Sequence, residues 1–174
     1  MSKTALKKEL SGYTKEQIIE VVLDLYDSRP EVKDYFNFFL NPDSKKLFEK
    51  YQKALDKEFA KSKWNRSKTR ISVIKKLIKG FESFHPDIQY RYRLYQYIIT
   101  LALQYEDRYY YSETLYNGIC GIVRNYLILS DSNNELDVAL EYTGSRTGYG
   151  MPGGRSFKDR ISEECQDYVD SKRI

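Results

Sequence analysis

Apolar residues along this chain recur every three or four positions, the spacing of a helical stripe, in almost every segment. Leu6 and Leu10 sit four apart on a short first helix, which Gly12 is expected to close as a left-handed C-cap. Thr14-Lys15-Glu16-Gln17 has the form of a capping box, so a second helix starts there, with Ile18, Ile19, Val22, Leu25 and Tyr26 as its stripe. Ser28-Arg29-Pro30-Glu31 reads as another capping box with proline in the first turn, and Val32, Tyr35, Phe36 and Phe39 follow on one face. Asn41-Pro42 repeats the cap-then-proline signal and opens a fourth helix carrying Leu47, Phe48, Tyr51, Leu55 and Phe59.

Residues 60–67 read as a connection, after which Ser67 caps a fifth helix with Ile71, Ile74, Leu77, Ile78 and Phe81. His85-Pro86-Asp87 breaks the chain and opens a sixth. Tyr90, Leu94, Tyr97, Ile98 and Leu101 line one of its faces, and Tyr92, Tyr95 and Ile99 cover another. A helix apolar most of the way round is usually buried, so this one is placed centrally. The alternation Tyr90-Arg91-Tyr92-Arg93-Leu94 also fits a strand, but the helical stripe runs on beyond it. Ser112-Glu113-Thr114 starts a seventh helix with Leu115, Ile119, Ile122, Val123, Tyr126 and Leu127. Gly118 and Gly121, on its other side, point to close approach of a neighbour or to a weak helix. Asp131-Ser132-Asn133-Asn134 is a turn, followed by a short helix through Leu136, Val138, Ala139 and Leu140. Residues 144–155 are expected to form a flexible glycine-rich loop before a last helix from about Ser156, carrying Phe157, Ile161, Cys165 and Tyr168.

No pair of strands with hairpin chemistry appears. The pattern predicts an all-α fold, a single-domain bundle of about eight helices in antiparallel pairs with short connections. Composition agrees. The 174 residues suit one domain, and 41% hydrophobic with 31% charged residues fits a folded rather than a disordered chain. The longest apolar run, Ile98-Ile99-Thr100-Leu101-Ala102-Leu103, is too short to span a membrane, and the first dozen residues lack the apolar core of a signal peptide. Two cysteines make no disulfide framework, which points to a reducing cytoplasm.

Several pieces have a familiar order: Leu6-Lys7-Lys8-Glu9-Leu10, Val22-Leu23-Asp24-Leu25-Tyr26, Pro30-Glu31-Val32-Lys33-Asp34-Tyr35-Phe36, Leu40-Asn41-Pro42, and Lys68-Thr69-Arg70-Ile71-Ser72-Val73-Ile74-Lys75-Lys76. Together, across residues 3–105, they resemble a family of small all-helical bacterial proteins known only as a domain of unknown function. The resemblance implies a helical bacterial cytoplasmic protein. It implies no activity, ligand or catalytic residue. The glycine-rich tail departs from the family pattern.

Charge changes the picture most in one place. Between Glu58 and Glu82 there is no acidic residue, while Lys61, Lys63, Arg66, Lys68, Arg70, Lys75, Lys76 and Lys79 make the segment +8 and leave the rest of the chain at −4. Lys63, Trp64, Arg66, Lys68 and Arg70 form a candidate polyanion surface, the cations on phosphates and Trp64 stacked on a base. The amides at the start of the fifth helix favour anions too. Against this stands the ordinary solvated face that lysines give any surface helix.

Tyrosine is the other excess: 17 in all, ten of them between Tyr90 and Tyr126. Tyr109, Tyr110 and Tyr111 are candidate interface aromatics, since one helix face cannot bury three successive rings. The glycine-rich stretch fails the phosphate-loop pattern, with Arg155 where lysine belongs and no strand before it. The one histidine, His85, excludes a paired Glu-x-x-His metal site, and Asp87 beside it reads as a helix cap rather than a catalytic partner. Cys120 sits among apolar residues and Cys165 among Glu163, Glu164 and Asp167, neither a setting for a thiolate.

The sequence therefore calls for no catalytic residue, metal or cofactor. It reads as a non-enzymatic protein-interaction module whose partner is another protein or a second copy, as a homodimer. The alternative is nucleic-acid binding through residues 61–79.

Overall fold

The computed structural model describes residues 2–60, 69–106, 111–148, 150 and 153–172. Among them it holds nine α-helices and no strand. The all-α expectation is borne out, with nine helices in place of about eight. The chain falls into two compact units, residues 1–43 and 44–174.

The first unit comprises α1 (Lys3–Leu10), α2 (Lys15–Ser28) and α3 (Pro30–Leu40). Thr14 caps α2 as predicted, its hydroxyl accepting from the Gln17 amide while the Gln17 side chain accepts from the Thr14 amide. Three predicted caps are corrected. Gly12 is not left-handed; α1 ends on Ser11 in the right-handed region. Ser28 is the last residue of α2, and α3 starts from Arg29 with no side-chain cap, so proline at the first position does the work alone. Asn41 closes α3 rather than opening α4. Tyr26 and Phe36 meet at 6.4 Å, and the Tyr26 hydroxyl donates to Asn37 at 3.3 Å, which ties α3 to the end of α2 as a helical hairpin joined through Arg29.

The second unit comprises α4 (Ser44–Phe59), α5 (Ile71–Glu82), α6 (Ile88–Glu106), α7 (Glu113–Asp131), α8 (Leu136–Thr147) and α9 (Phe157–Ser171). Side-chain pairs give the directions. Glu58 meets Arg70 while Tyr51 meets Phe81, so α4 and α5 are antiparallel. Tyr95 stacks on Tyr126 while Glu106 meets Tyr116, so α6 and α7 are antiparallel as well. By contrast α4 runs parallel to α6, and α7 parallel to α9.

The core of this unit lies around α6 and α7. Leu94, Ile98, Ile99 and Ala102 of α6 and Ile119, Ile122, Val123 and Leu127 of α7 are all essentially inaccessible. Leu55, Phe59, Ile74, Phe81, Phe157 and Ile161 close the shell from the other helices. The central placement of the sixth helix holds, and α7 shares the position. Glycine decides one approach: a Cβ on Gly118 would lie 2.1 Å from Ile71 Cγ1, so only glycine lets α5 begin against α7.

Candidate functional surfaces

The basic segment starts at an internal ion pair. Glu58 lies on the buried stripe of α4, three residues after Leu55, and is 8% exposed. Its Oε1 accepts from the Arg70 amide at 2.6 Å and from Arg70 Nε at 3.1 Å, and its Oε2 accepts from Arg70 Nη2 at 2.9 Å. Arg70 is the N-cap of α5 and has no capping side chain of its own. Glu58 is therefore the anion at the start of α5, where helix dipole and free amides favour negative charge. The carboxylate also raises the Arg70 guanidinium above its ordinary value through the hydrogen bond and its charge. Arg70, expected to meet a polyanion, has its charge committed within the chain.

Lys63, Trp64, Arg66, Lys68 and the predicted cap Ser67 lie outside the described residues, as do Tyr109 and Tyr110. Lys75, Lys76 and Lys79 are exposed on α5. Lys79 joins Glu82, Ser83, His85, Pro86 and Arg91 around a shallow cavity of ≈ 460 Å³ at the α5–α6 turn. Glu82 accepts there from Arg91 Nη2 at 3.2 Å and from the Tyr95 hydroxyl at 3.0 Å.

Tyr111 is corrected from interface to core. It is 3% exposed, its ring 5.5 Å from Phe157 and 6.3 Å from Tyr116. It offers no face to a partner. The same cluster is closed by Glu106, whose Oε1 accepts from the Phe157 amide at 2.7 Å and from the Tyr116 hydroxyl at 2.9 Å. Arg160 stacks over Tyr116 at 4.6 Å and forks onto Glu113 at 2.6 and 2.9 Å.

The glycine-rich stretch is shorter than residues 144–155, because α8 continues through Thr147 and is closed by Gly148 at φ +62°. Gly154 abuts α9: a Cβ there would lie 2.2 Å from an Asp159 carboxylate oxygen. Ser156 and Asp159 form a capping box at the start of α9. A second cavity of ≈ 400 Å³ opens here, lined by Asn117, Cys120, Arg155, Arg160, Glu163 and Asp167 among others. Burial first, and then the nearby Glu164, push the Cys120 thiol up to about 11. Burial raises Cys165 as well. Neither cysteine has the character of a nucleophile. Among the described residues no group of three or more His, Cys, Asp or Glu is placed to hold a metal ion, and no helix is long and apolar enough to cross a membrane.

The feature that sequence reasoning missed lies in the first unit. None of the residues of its three helices is buried. Leu23, Phe39 and Leu40 are 56%, 64% and 69% exposed, and Ile18, Ile19, Val21 and Leu25 are exposed too. A signal was present: Val21-Val22-Leu23 are consecutive, and three successive side chains cannot share one helix face.

Comparison with curated proteins and with solved structures finds no match. A family model does match, and it covers both the exposed hairpin and the Glu58–Arg70 pair, running through the end of α7. By that match over residues 1–135, the chain belongs to DUF6155, a family of unknown function.

Proposed function

We propose that the chain is a non-enzymatic protein-interaction module and that the α2–α3 hairpin is its binding element. One observation carries this: the first unit buries none of its helical residues while its large apolar side chains stand open. Single exposed apolar residues are ordinary, but contiguous apolar patches beyond a few hundred Å² mark interaction sites. The charge pattern supports a protein partner over a polyanion here. Residues 15–40 carry Glu16, Glu20, Asp24, Asp27, Glu31 and Asp34 against Lys15, Arg29 and Lys33, so the hairpin is net acidic. Two free cysteines suit a reducing cytoplasm as the setting.

The test is site-specific photo-crosslinking in cells, with the photoreactive residue at Leu23 or Phe39 and, as control, at Lys76 on α5. Protein adducts from the two hairpin positions and none from the control are expected. An absence of adducts from both hairpin positions overturns the reading.

A further inference from the structure

We propose that the outward faces of α4 and α5 form a second interaction surface, one that binds the phosphodiester backbone of a nucleic-acid duplex without reading its sequence. The inference is independent of the hairpin and needs none of residues 61–68. On α4, at about 100° per residue, Lys46, Lys50, Lys53 and Lys57 fall within about 60° of arc, and no other residue of the helix shares that arc. It faces away from the buried Leu55 and Phe59. On α5, Lys75, Lys76 and Lys79 fall with Ser72 within about 100° of arc, on the side away from the buried Ile74, Ile78 and Phe81. All of these lysines are exposed. The two helices lie side by side through Tyr51–Phe81 and Glu58–Arg70. Both turn inward to the central pair, α4 to α6 through Phe48 and Tyr97, and α5 to α7 through Ile71 and Gly118. The two lysine rows therefore stand on one outer surface.

Charge selects the occupant. Residues 45–79 hold 13 basic and three acidic side chains, a net +10 in a chain of +4, so the remainder is −6. Of the three carboxylates, Glu58 is committed to Arg70, Asp56 accepts from the Tyr97 hydroxyl, and Glu49 stands at the edge of the α4 row. Four cations elsewhere in this unit are held by carboxylates: Arg91 by Glu82, Arg124 by Glu164, Arg160 by Glu113 and Lys172 by Asp131. Lys53, Lys57, Lys75, Lys76 and Lys79 form no such pair among the described residues. Like charges one turn apart, as at 46 and 50, 53 and 57, or 75 and 79, destabilise a helix. A row of phosphates offsets that cost and releases its own counterions. The α4 row extends over about 17 Å, a length in which a duplex presents about ten phosphates.

The surface suits a duplex better than a membrane or a single strand. Neither helix exposes a large apolar side chain that could enter a bilayer, and stable anchoring takes such a signal besides basic charge. No aromatic ring stands in either row to stack an unpaired base. Lysine is a point charge, suited to phosphate rather than to the edges of bases.

Fluorescence anisotropy of short labelled duplexes against the full chain tests this, from about 50 to 200 mM salt. Affinity is expected to fall about a hundredfold or more across that range, the slope of four or more phosphate contacts. Lys53→Gln/Lys76→Gln is expected to weaken binding about tenfold or more at low salt and to lower the salt slope by about two. Arg146→Gln/Lys158→Gln removes the same charge from α8 and α9 and is expected to change little. Circular dichroism on each variant separates lost contact from lost helix. DNA and RNA duplexes are run side by side; a preference for either supports the assignment and identifies the backbone. No duplex binding at about 50 mM salt overturns it. So does an equal loss in the two variants, which would make the effect one of net charge alone. Tighter binding to a single strand, or to phosphatidylserine vesicles, overturns it as well.

Discussion

One carboxylate of Glu58 answers both the backbone and the side chain of Arg70, with its amide at 2.6 Å and the guanidinium at 2.9 and 3.1 Å. The two partners are not equivalent. Glu58 is buried, whereas the Arg70 side chain is 68% exposed. Removing the carboxylate strips the amide at the start of α5 of its acceptor; removing the guanidinium does not. Glu58→Ala is therefore expected to lower stability by about 2–3 kcal/mol, as for other hydrogen bonds to a charged group. Arg70→Ala is expected to cost clearly less. Urea unfolding of the two variants measures the difference, and equal losses would show that the side-chain pair, not the helix cap, matters.

Gly118 and Ile71 give a second test. Gly118→Ala places a methyl where Ile71 Cγ1 already is, 2.1 Å away, and overpacking of this kind costs about 1–3 kcal/mol. Ile71→Val in the same chain relieves only part of the clash, and Ile71→Ala relieves most of it at the cost of a cavity. A double-mutant cycle on thermal unfolding is expected to show favourable coupling between Gly118→Ala and Ile71→Ala.

The aromatic cluster around Phe157 makes the core assignment of Tyr111 measurable. Phe157 is fully buried, with Tyr116 at 4.3 Å and Tyr111 at 5.5 Å. Phe157→Ala is expected to cost about 3–5 kcal/mol. Tyr111→Ala should fall in the same class, whereas an interface residue would leave the folded monomer nearly unchanged. Chemical denaturation distinguishes the two.

The seam between α7 and α9 is expected to loosen in acid. Glu113 is held below the usual carboxylate range chiefly by its hydrogen bond from Arg160. Asp131 is lowered chiefly by its hydrogen bond from Lys172, 2.6 Å away, with Tyr168 adding to it. A carboxyl depressed in the folded state contributes stability above its unfolded value, and the contribution is lost as pH falls through the folded one. Amide exchange in α9 should therefore accelerate below the ordinary carboxylate range. The change should be small and salt-sensitive, because these pairs are exposed. Glu113→Gln should flatten the profile.

Thiol chemistry gives a further check. With its pKa near 11, Cys120 should alkylate slowly at neutral pH, and its rate should keep rising well beyond the point where a free thiol levels off. A plateau near neutrality would reveal a thiolate and reopen the catalytic reading.

Features that act over one helical turn were readable from the sequence. The cap at Thr14, the helix starts at Ser112 and Ser156 and the stripe of α7 involve residues three or four apart, and all appear as expected. The misread caps at Gly12, Ser28 and Asn41 were local too, but there competing local conformations satisfied the backbone instead. What the sequence hid is non-local. Counting charges between Glu58 and Glu82 treated Glu58 as a boundary, when it is the counter-ion of Arg70, twelve residues away. Tyr111 looked surplus because the ring that covers it belongs to Phe157.

Glu106 carries the longest of these reaches. It stands at the end of α6 and accepts the first amide of α9, a separation of 51 residues. Closing a loop of that length costs more entropy than a contact over ten residues, so the Glu106–Phe157 contact is expected late in folding. The Tyr116 hydroxyl reaches the same carboxylate from only ten residues away, so that contact is expected to form earlier. One side chain thus joins a short-range contact to a long-range one. A residue at the end of the central helix thereby prepares the seat of the C-terminal helix.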